Sequence, residues 1–200
     1  MRSPGIAFPY LIGFLRKNGI LTNAVHVAVQ HDKLEGPTPF EEILREKVDV
    51  GRGDQDVLFI TAYTDSAREA YRRAREARLV YAAAGRRLTV VMGGAHASAV
   101  PGEGTRLGHV DAVVAGEGEW AASELLGDIR EGRPVRPLYQ SGFGRIRERG
   151  TLALDMGIWK GLKRRPQQIL ASSTFARGCK LDCHFCAVFL TPGSTDSHVG

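Results

Sequence analysis

Leu88-Thr-Val-Val-Met92, closed by Gly93-Gly94, is the stretch on which the fold turns. It is a short apolar run stopped by a turn signal, the pattern of a strand covered on both faces, as central strands of parallel sheets are. Asp56-Val-Leu-Phe-Ile-Thr61 before it and Asp111-Ala-Val-Val-Ala115 after it have the same character. Between the first two, Ala67, Ala70, Tyr71, Ala74, Ala77, Tyr81 and Ala84 fall at helical spacing. Ser66-Ala-Arg-Glu69 opens that helix as a capping box and Gly85 closes it. Buried strands joined by a long helix predict right-handed βαβ crossovers and a parallel sheet. The fold class expected up to Gly132 is α/β, an open doubly wound parallel sheet.

Working outward, Glu119 to Arg130 reads as a helix ending at Gly132, and the stretch around Pro101 as a loop. Pro9 to Asn18 has apolar residues on one side and stops at Gly19, so it is a further helix. Val25, Val27 and Val29 alternate as in a half-buried strand. Thr38-Pro39-Phe40-Glu41 is a capping box with proline at the first helical position, opening a helix to about Lys47. Residues 133–166 are rich in Arg, Gly and Pro and read as a basic linker, with an edge strand at Val135 to Tyr139. A new strand begins in Gln168 to Phe175. The expected organisation is a domain over 1–132, a linker over 133–166, and the start of a second domain over 167–200.

The chain of 200 residues is 43% hydrophobic and 24% charged, which fits a folded soluble protein better than a disordered one. No apolar stretch approaches the ~20 residues of a membrane span, and the amino terminus lacks a convincing signal peptide. A cytoplasmic location is expected. The net charge is +5, with arginines and lysines crowding residues 130–165. No aromatic residues are interleaved there in a stacking pattern, so a solvated connection is preferred to a nucleic-acid contact.

In a doubly wound sheet, ligands bind beyond the carboxyl ends of the strands. Those ends hold Thr61 to Asp65, Gly93-Gly94-Ala95-His96 and Gly116-Glu-Gly-Glu119. Glycines there let a ligand approach the backbone closely, although glycine turns after strands also serve structure alone. All three cysteines lie in Cys179-Lys-Leu-Asp-Cys183-His-Phe-Cys186. An odd, tight cluster is a poor disulfide framework and a good metal or cluster site. Three thiolates on a [4Fe–4S] cubane leave one iron open to a chelating small molecule. The alternative is structural zinc, which favours two separated ligand pairs, whereas this chain has one knot.

The C-x₃-C-x₂-C spacing, with Phe185 before its last cysteine, resembles the radical S-adenosylmethionine (SAM) superfamily. The resemblance implies that Cys179, Cys183 and Cys186 ligate the cluster and that Phe185 lies beside the SAM adenine. In that superfamily the open iron holds SAM. An electron from the cluster splits SAM into methionine and a 5′-deoxyadenosyl radical, which abstracts a substrate hydrogen. The order of elements in front also has a likeness. A strand ending at Thr61, a long helix, Val-Val-Met-Gly-Gly-Ala-His96, Pro101, Glu103 and Asp-Ala-Val-Val-Ala-Gly-Glu-Gly-Glu119 resemble the cobalamin (B12)-binding domain of such enzymes. Trp120 and Gly132-Arg-Pro-Val-Arg-Pro-Leu-Tyr139 further resemble the branch with hopanoid-modifying members.

This likeness implies a Rossmann-like cobalamin-binding domain followed by the first strand and cluster loop of an incomplete radical SAM (β/α) barrel. Thr61, Thr64, Gly93, Gly94, His96, Gly116 and Glu117 would line the corrinoid side. The cofactors implied are a [4Fe–4S] cluster, SAM and cobalamin. A small-molecule substrate and an electron donor are the implied partners, and methyl transfer is one expected chemistry. No histidine lies in Asp-x-His-x-x-Gly, the motif supplying a cobalt ligand in other B12 proteins, so any cobalamin would lack that lower ligand. Only fourteen residues follow Cys186, so the chain reads as a fragment, catalytically incompetent alone. Two other readings stay open. One is an RNA-modifying enzyme of the methylthiotransferase kind, whose usual three extra cysteines are missing from the front domain. The other is a non-catalytic corrinoid-binding module.

Overall fold

A computed structural model describes residues 7–20, 44–45 and 55–140. Four strands, β1 (Gln55–Thr61), β2 (Arg87–Gly93), β3 (Ala112–Ala115) and β4 (Leu138–Gln140), form one sheet. They lie in sequence order and every neighbouring pair is parallel. The helices are α1 (Ala7–Lys17), α2 (Ala67–Ala83), α3 (Ala95–Ala99), α4 (Glu103–Arg106) and α5 (Gly118–Arg130). A 3₁₀ turn over Thr64–Ser66 leads into α2.

In β2 and β3 the two-sided apolar runs have the cover they call for, whereas β1 is only half-buried along its length. Val90, Met92, Val113 and Ala115 pack under Ala70, Tyr71 and Ala74 of α2 and Ala97 of α3. Val91, Ala112 and Val114 pack on the opposite face against Ala121 and Leu125 of α5 and Tyr139 of β4. The alternation within β2 and β3 follows from the period of two along a strand. Alanines along α2 present little bulk, so the helix lies close on the sheet, and Tyr71 and Tyr81 fill the space at their flanks. Burying Val90 and Val91 alone is worth roughly 3–6 kcal/mol.

The α/β class and parallel sheet expected from the sequence are thus present, and the described elements fit a Rossmann-like architecture. The strands β1 to β3 and the long helices start and stop within one or two residues of their expected bounds, and the edge strand expected at Val135 to Tyr139 forms as β4 three residues later, over Leu138–Gln140. The strand around Val25 to Val29, most of the helix after Thr38, and everything after Gln140 lie outside the described residues. Of that second helix, only Leu44 and Arg45 are described, and both are helical.

Three points depart from expectation. Two short helices, α3 and α4, occupy what reads as a loop around Pro101. The capping box at Ser66 does not form: the Ser66 hydroxyl turns back, accepting from the Tyr63 N–H and donating to the Tyr63 carbonyl, both at 3.0 Å. Glu69, its intended partner, is taken by Arg72 and Arg73 at 2.6 and 2.8 Å. Two guanidinium groups one turn along the helix thus satisfy the carboxylate in place of the cap N–H. The third concerns hand. Successive strands add on the same side, yet α2, α3 and α4 cover one face and α5 the other. The β3–α5–β4 connection therefore has the opposite hand to the two before it, against the usual rule.

Candidate functional site

The carboxyl ends of β1 and β2 are joined by backbone bonds. The Ala62 N–H donates to the Gly93 carbonyl (3.2 Å), and the His96 N–H donates to the Ala62 carbonyl (3.1 Å). Gly94 sits between them at φ +95°, where a Cβ would lie 2.4 Å from Thr61 Oγ1 and 3.0 Å from the Ala62 carbonyl oxygen. No other residue fits that turn without moving β1. Ser98 makes the second tie. Its hydroxyl donates to the Gly94 carbonyl and accepts from the Gly116 N–H, both at 2.9 Å. One side chain thus joins the turn after β2 to the turn after β3.

The sequence-derived candidates fall along this edge with one difference among them. Thr61 and Thr64 are exposed, and Gly93, Gly94, Gly116 and Glu117 are half-buried. His96 gives its backbone to the edge and its side chain to the interior, where it is 5% exposed. Its Nε2 lies 3.2 Å from the Tyr71 hydroxyl and 3.7 Å from Glu103 Oε2, while the buried Nδ1 has no protein hydrogen-bond partner. Burial raises the Tyr71 hydroxyl above its usual pKa, and the Glu103 carboxylate adds to the shift. Glu119, in the first turn of α5, is buried, where the positive end of the helix dipole favours a carboxylate.

Two residues of the edge are not singled out by the sequence, although Tyr63 lies within the Thr61 to Asp65 stretch expected there. Ser98 carries no signal of its own, because its role depends on α3. Tyr63 is 73% exposed although it follows directly on buried Ala62. The candidates Cys179, Cys183, Cys186 and Phe185 lie outside the described residues. Among the described residues no group of three or more His, Cys, Asp or Glu could hold a metal ion. No described helix is long and apolar enough to cross a membrane.

Gly93, Gly94 and Gly116, at the ends of β2 and β3 beside the exposed Thr61 and Thr64 of the β1 end, leave backbone groups open to a ligand. The imidazole of His96 is turned away from this edge into the interior. A parallel α/β sheet with helices on both faces is consistent with a Rossmann-like domain, in which ligands bind at the carboxyl ends of the strands. Residues 2–126 match the model of the B12 binding domain. The chain belongs to the B12-binding domain family, and that membership supports cobalamin binding. Among solved structures it is similar to the N-terminal domain of a hypothetical protein from Thermotoga maritima. The two share 16% identity over 70% of this chain and 94% of that one, with a TM-score of 0.44. No curated protein matches the chain.

Proposed function

We propose that this chain is the cobalamin-binding front part of a radical SAM enzyme. The corrinoid would rest on the carboxyl edge of the sheet, against Thr61, Thr64, Gly93, Gly94, Gly116 and Glu117. The observation that carries the corrinoid half is the Gly94 turn, which holds the β1 and β2 ends together with no side chain of its own at the junction. The radical SAM half rests on the spacing of Cys179, Cys183 and Cys186 and on Phe185, which resemble the cluster motif of that superfamily. Bound there, cobalamin would supply a transferable methyl group and the [4Fe–4S] cluster an electron for SAM cleavage. The part of this chain is to bind and orient: the backbone groups of the edge meet the macrocycle and three thiolates hold the iron. A small-molecule substrate, an external electron donor and a cytoplasmic setting complete the proposal.

The test has two arms. Hydroxocobalamin is titrated into the full chain and followed by its absorbance, and iron and acid-labile sulfide are counted after anaerobic reconstitution in the parent and in Cys183→Ala. Saturable binding, together with about four irons and four sulfides that are lost in the variant, is expected. Corrinoid binding without iron would favour a non-catalytic corrinoid module. Iron without corrinoid binding would sink the corrinoid half.

A further inference from the structure

We infer that Tyr63 is a specificity-determining contact for the ligand of this edge, its ring face lying against the flat, apolar face of the macrocycle. The inference rests on the corrinoid reading above and adds to it a residue that neither motif nor family match singles out. A lone exposed apolar side chain is ordinary on a protein surface. Leu79, 72% exposed on the outer side of α2, is an example. Tyr63 differs in how its backbone is held. Ser66 satisfies both its N–H and its carbonyl, each at 3.0 Å, and the Ser66 N–H adds a bond to the same carbonyl at 3.1 Å. The residue before it, Ala62, is 3% exposed and bonded on both sides to the turn after β2.

An aromatic ring is therefore presented to solvent from a fully fixed backbone, at the end of the strand that Gly94 packs against. Ordering such a side chain on a ligand costs little, because only two side-chain torsions remain to be fixed. The cost of leaving it exposed in the free protein is a lost opportunity to bury its ring, and the bonds that hold the turn run through the Tyr63 backbone, which any residue supplies. The glycines beside it have no side chains to offer. Tyr63 is thus the group at the β1 end that can supply apolar contact to a flat ligand whose other contacts are with backbone. The ring carries that contact, and the hydroxyl is secondary.

Hydroxocobalamin titrations of the parent, Tyr63→Ala, Tyr63→Phe and Leu79→Ala decide the matter, each with a thermal melt. Tyr63→Ala should weaken binding ~10-fold, about 1.4 kcal/mol, at an unchanged melting temperature. Tyr63→Phe should stay within about 2-fold of the parent and Leu79→Ala should be indistinguishable from it. Tyr63→Ala binding within about 2-fold of the parent overturns the inference. So does a clear drop in its melting temperature without loss of affinity, which would place the ring against protein. A parent that fails to bind overturns the corrinoid reading and this inference with it, whereas a binding parent with an indifferent Tyr63 overturns the inference alone.

Discussion

On the α5 side of the sheet a buried polar cluster is closed, and on the α2 side another is left open. Tyr139 of β4 donates its hydroxyl to Asp128 Oδ2 (2.8 Å) and accepts from the Arg136 N–H (3.0 Å). Arg133 Nε donates to Asp128 Oδ1 at 2.7 Å, and the Arg136 guanidinium lies 4.3 Å over the Tyr139 ring while pairing with Glu124 at 2.6 Å. Tyr139 is thereby held at its hydroxyl and over its ring face, which helps a strand of three residues stay docked at the edge of the sheet. His96 is held on one side only. Its Nε2 meets Tyr71 and Glu103 and its Nδ1 is buried without a partner, whichever tautomer is present. A buried, unsatisfied polar atom costs about 1–3 kcal/mol. The closed cluster fixes structure away from the ligand edge. The open one lies directly beneath the turn that forms that edge, where side-chain satisfaction has been given up and backbone geometry has not.

The largest effect should come from that backbone geometry. Gly94→Ala puts a methyl 2.4 Å from Thr61 Oγ1 at φ +95°. Left-handed strain and overpacking together should cost about 3 kcal/mol, lowering the melting temperature by roughly 10 °C. Thermal and urea denaturation read this directly. A loss under about 1 kcal/mol would mean that the strand ends are loosely coupled and would break the contrast at its stronger limb.

Next in size is Tyr139→Phe, which removes the hydroxyl from the closed cluster and should cost about 2 kcal/mol at pH 7. Its pH dependence sharpens the assignment. The Tyr139 hydrogen bond, followed by the Arg133 contact, holds the Asp128 carboxyl below its usual pKa. A depressed carboxyl pKa stabilises the fold above the unfolded value, and this contribution is lost as pH falls through the folded value. The gap between parent and variant should therefore be widest at neutral pH and shrink below about pH 4. Urea midpoints measured from pH 3 to 7 check it, and a gap independent of pH would show that Tyr139 acts by packing alone.

The same contrast explains what was legible in the sequence. Apolar runs such as Leu88 to Met92 declare themselves because burial on both faces leaves no room for polar residues. The alanine spacing of α2 and its stop at Gly85, where φ is +66°, are equally local signals. The edge was legible in its glycines for the same reason. What stayed hidden depends on partners distant in the chain. The helices α3 and α4 span five and four residues, too short to show a period. With them go the inward turn of His96 and the bridge made by Ser98, eighteen residues from Gly116. Tyr139 sits in an Arg- and Pro-rich stretch that reads as linker with an edge strand; the strand forms, but the burial of Tyr139 against α5 and its bond to Asp128, eleven residues away, leave no local signal. Ser66 looked like a helix cap, and its hydroxyl chose Tyr63 instead.

The smallest effect should come from the open cluster, and it is the most discriminating. Tyr71→Phe alone removes the hydroxyl nearest His96 Nε2 and should cost about 1 kcal/mol, less than Tyr139→Phe, because Glu103 stays within reach of the same nitrogen. Adding His96→Leu should bring the double variant back toward the parent. The imidazole takes its unsatisfied Nδ1 with it, and Glu103, partly exposed, can turn to solvent. Replacing both partners of a poorly satisfied pair by apolar groups is close to neutral where removing one is not. Each variant is measured by urea denaturation, and the coupling energy from the double-mutant cycle should be about 1 kcal/mol and favourable to the double. Strict additivity would instead mean that the Nδ1 is satisfied in solution, for example by an internal water, and that the two clusters differ in kind of partner rather than in completeness.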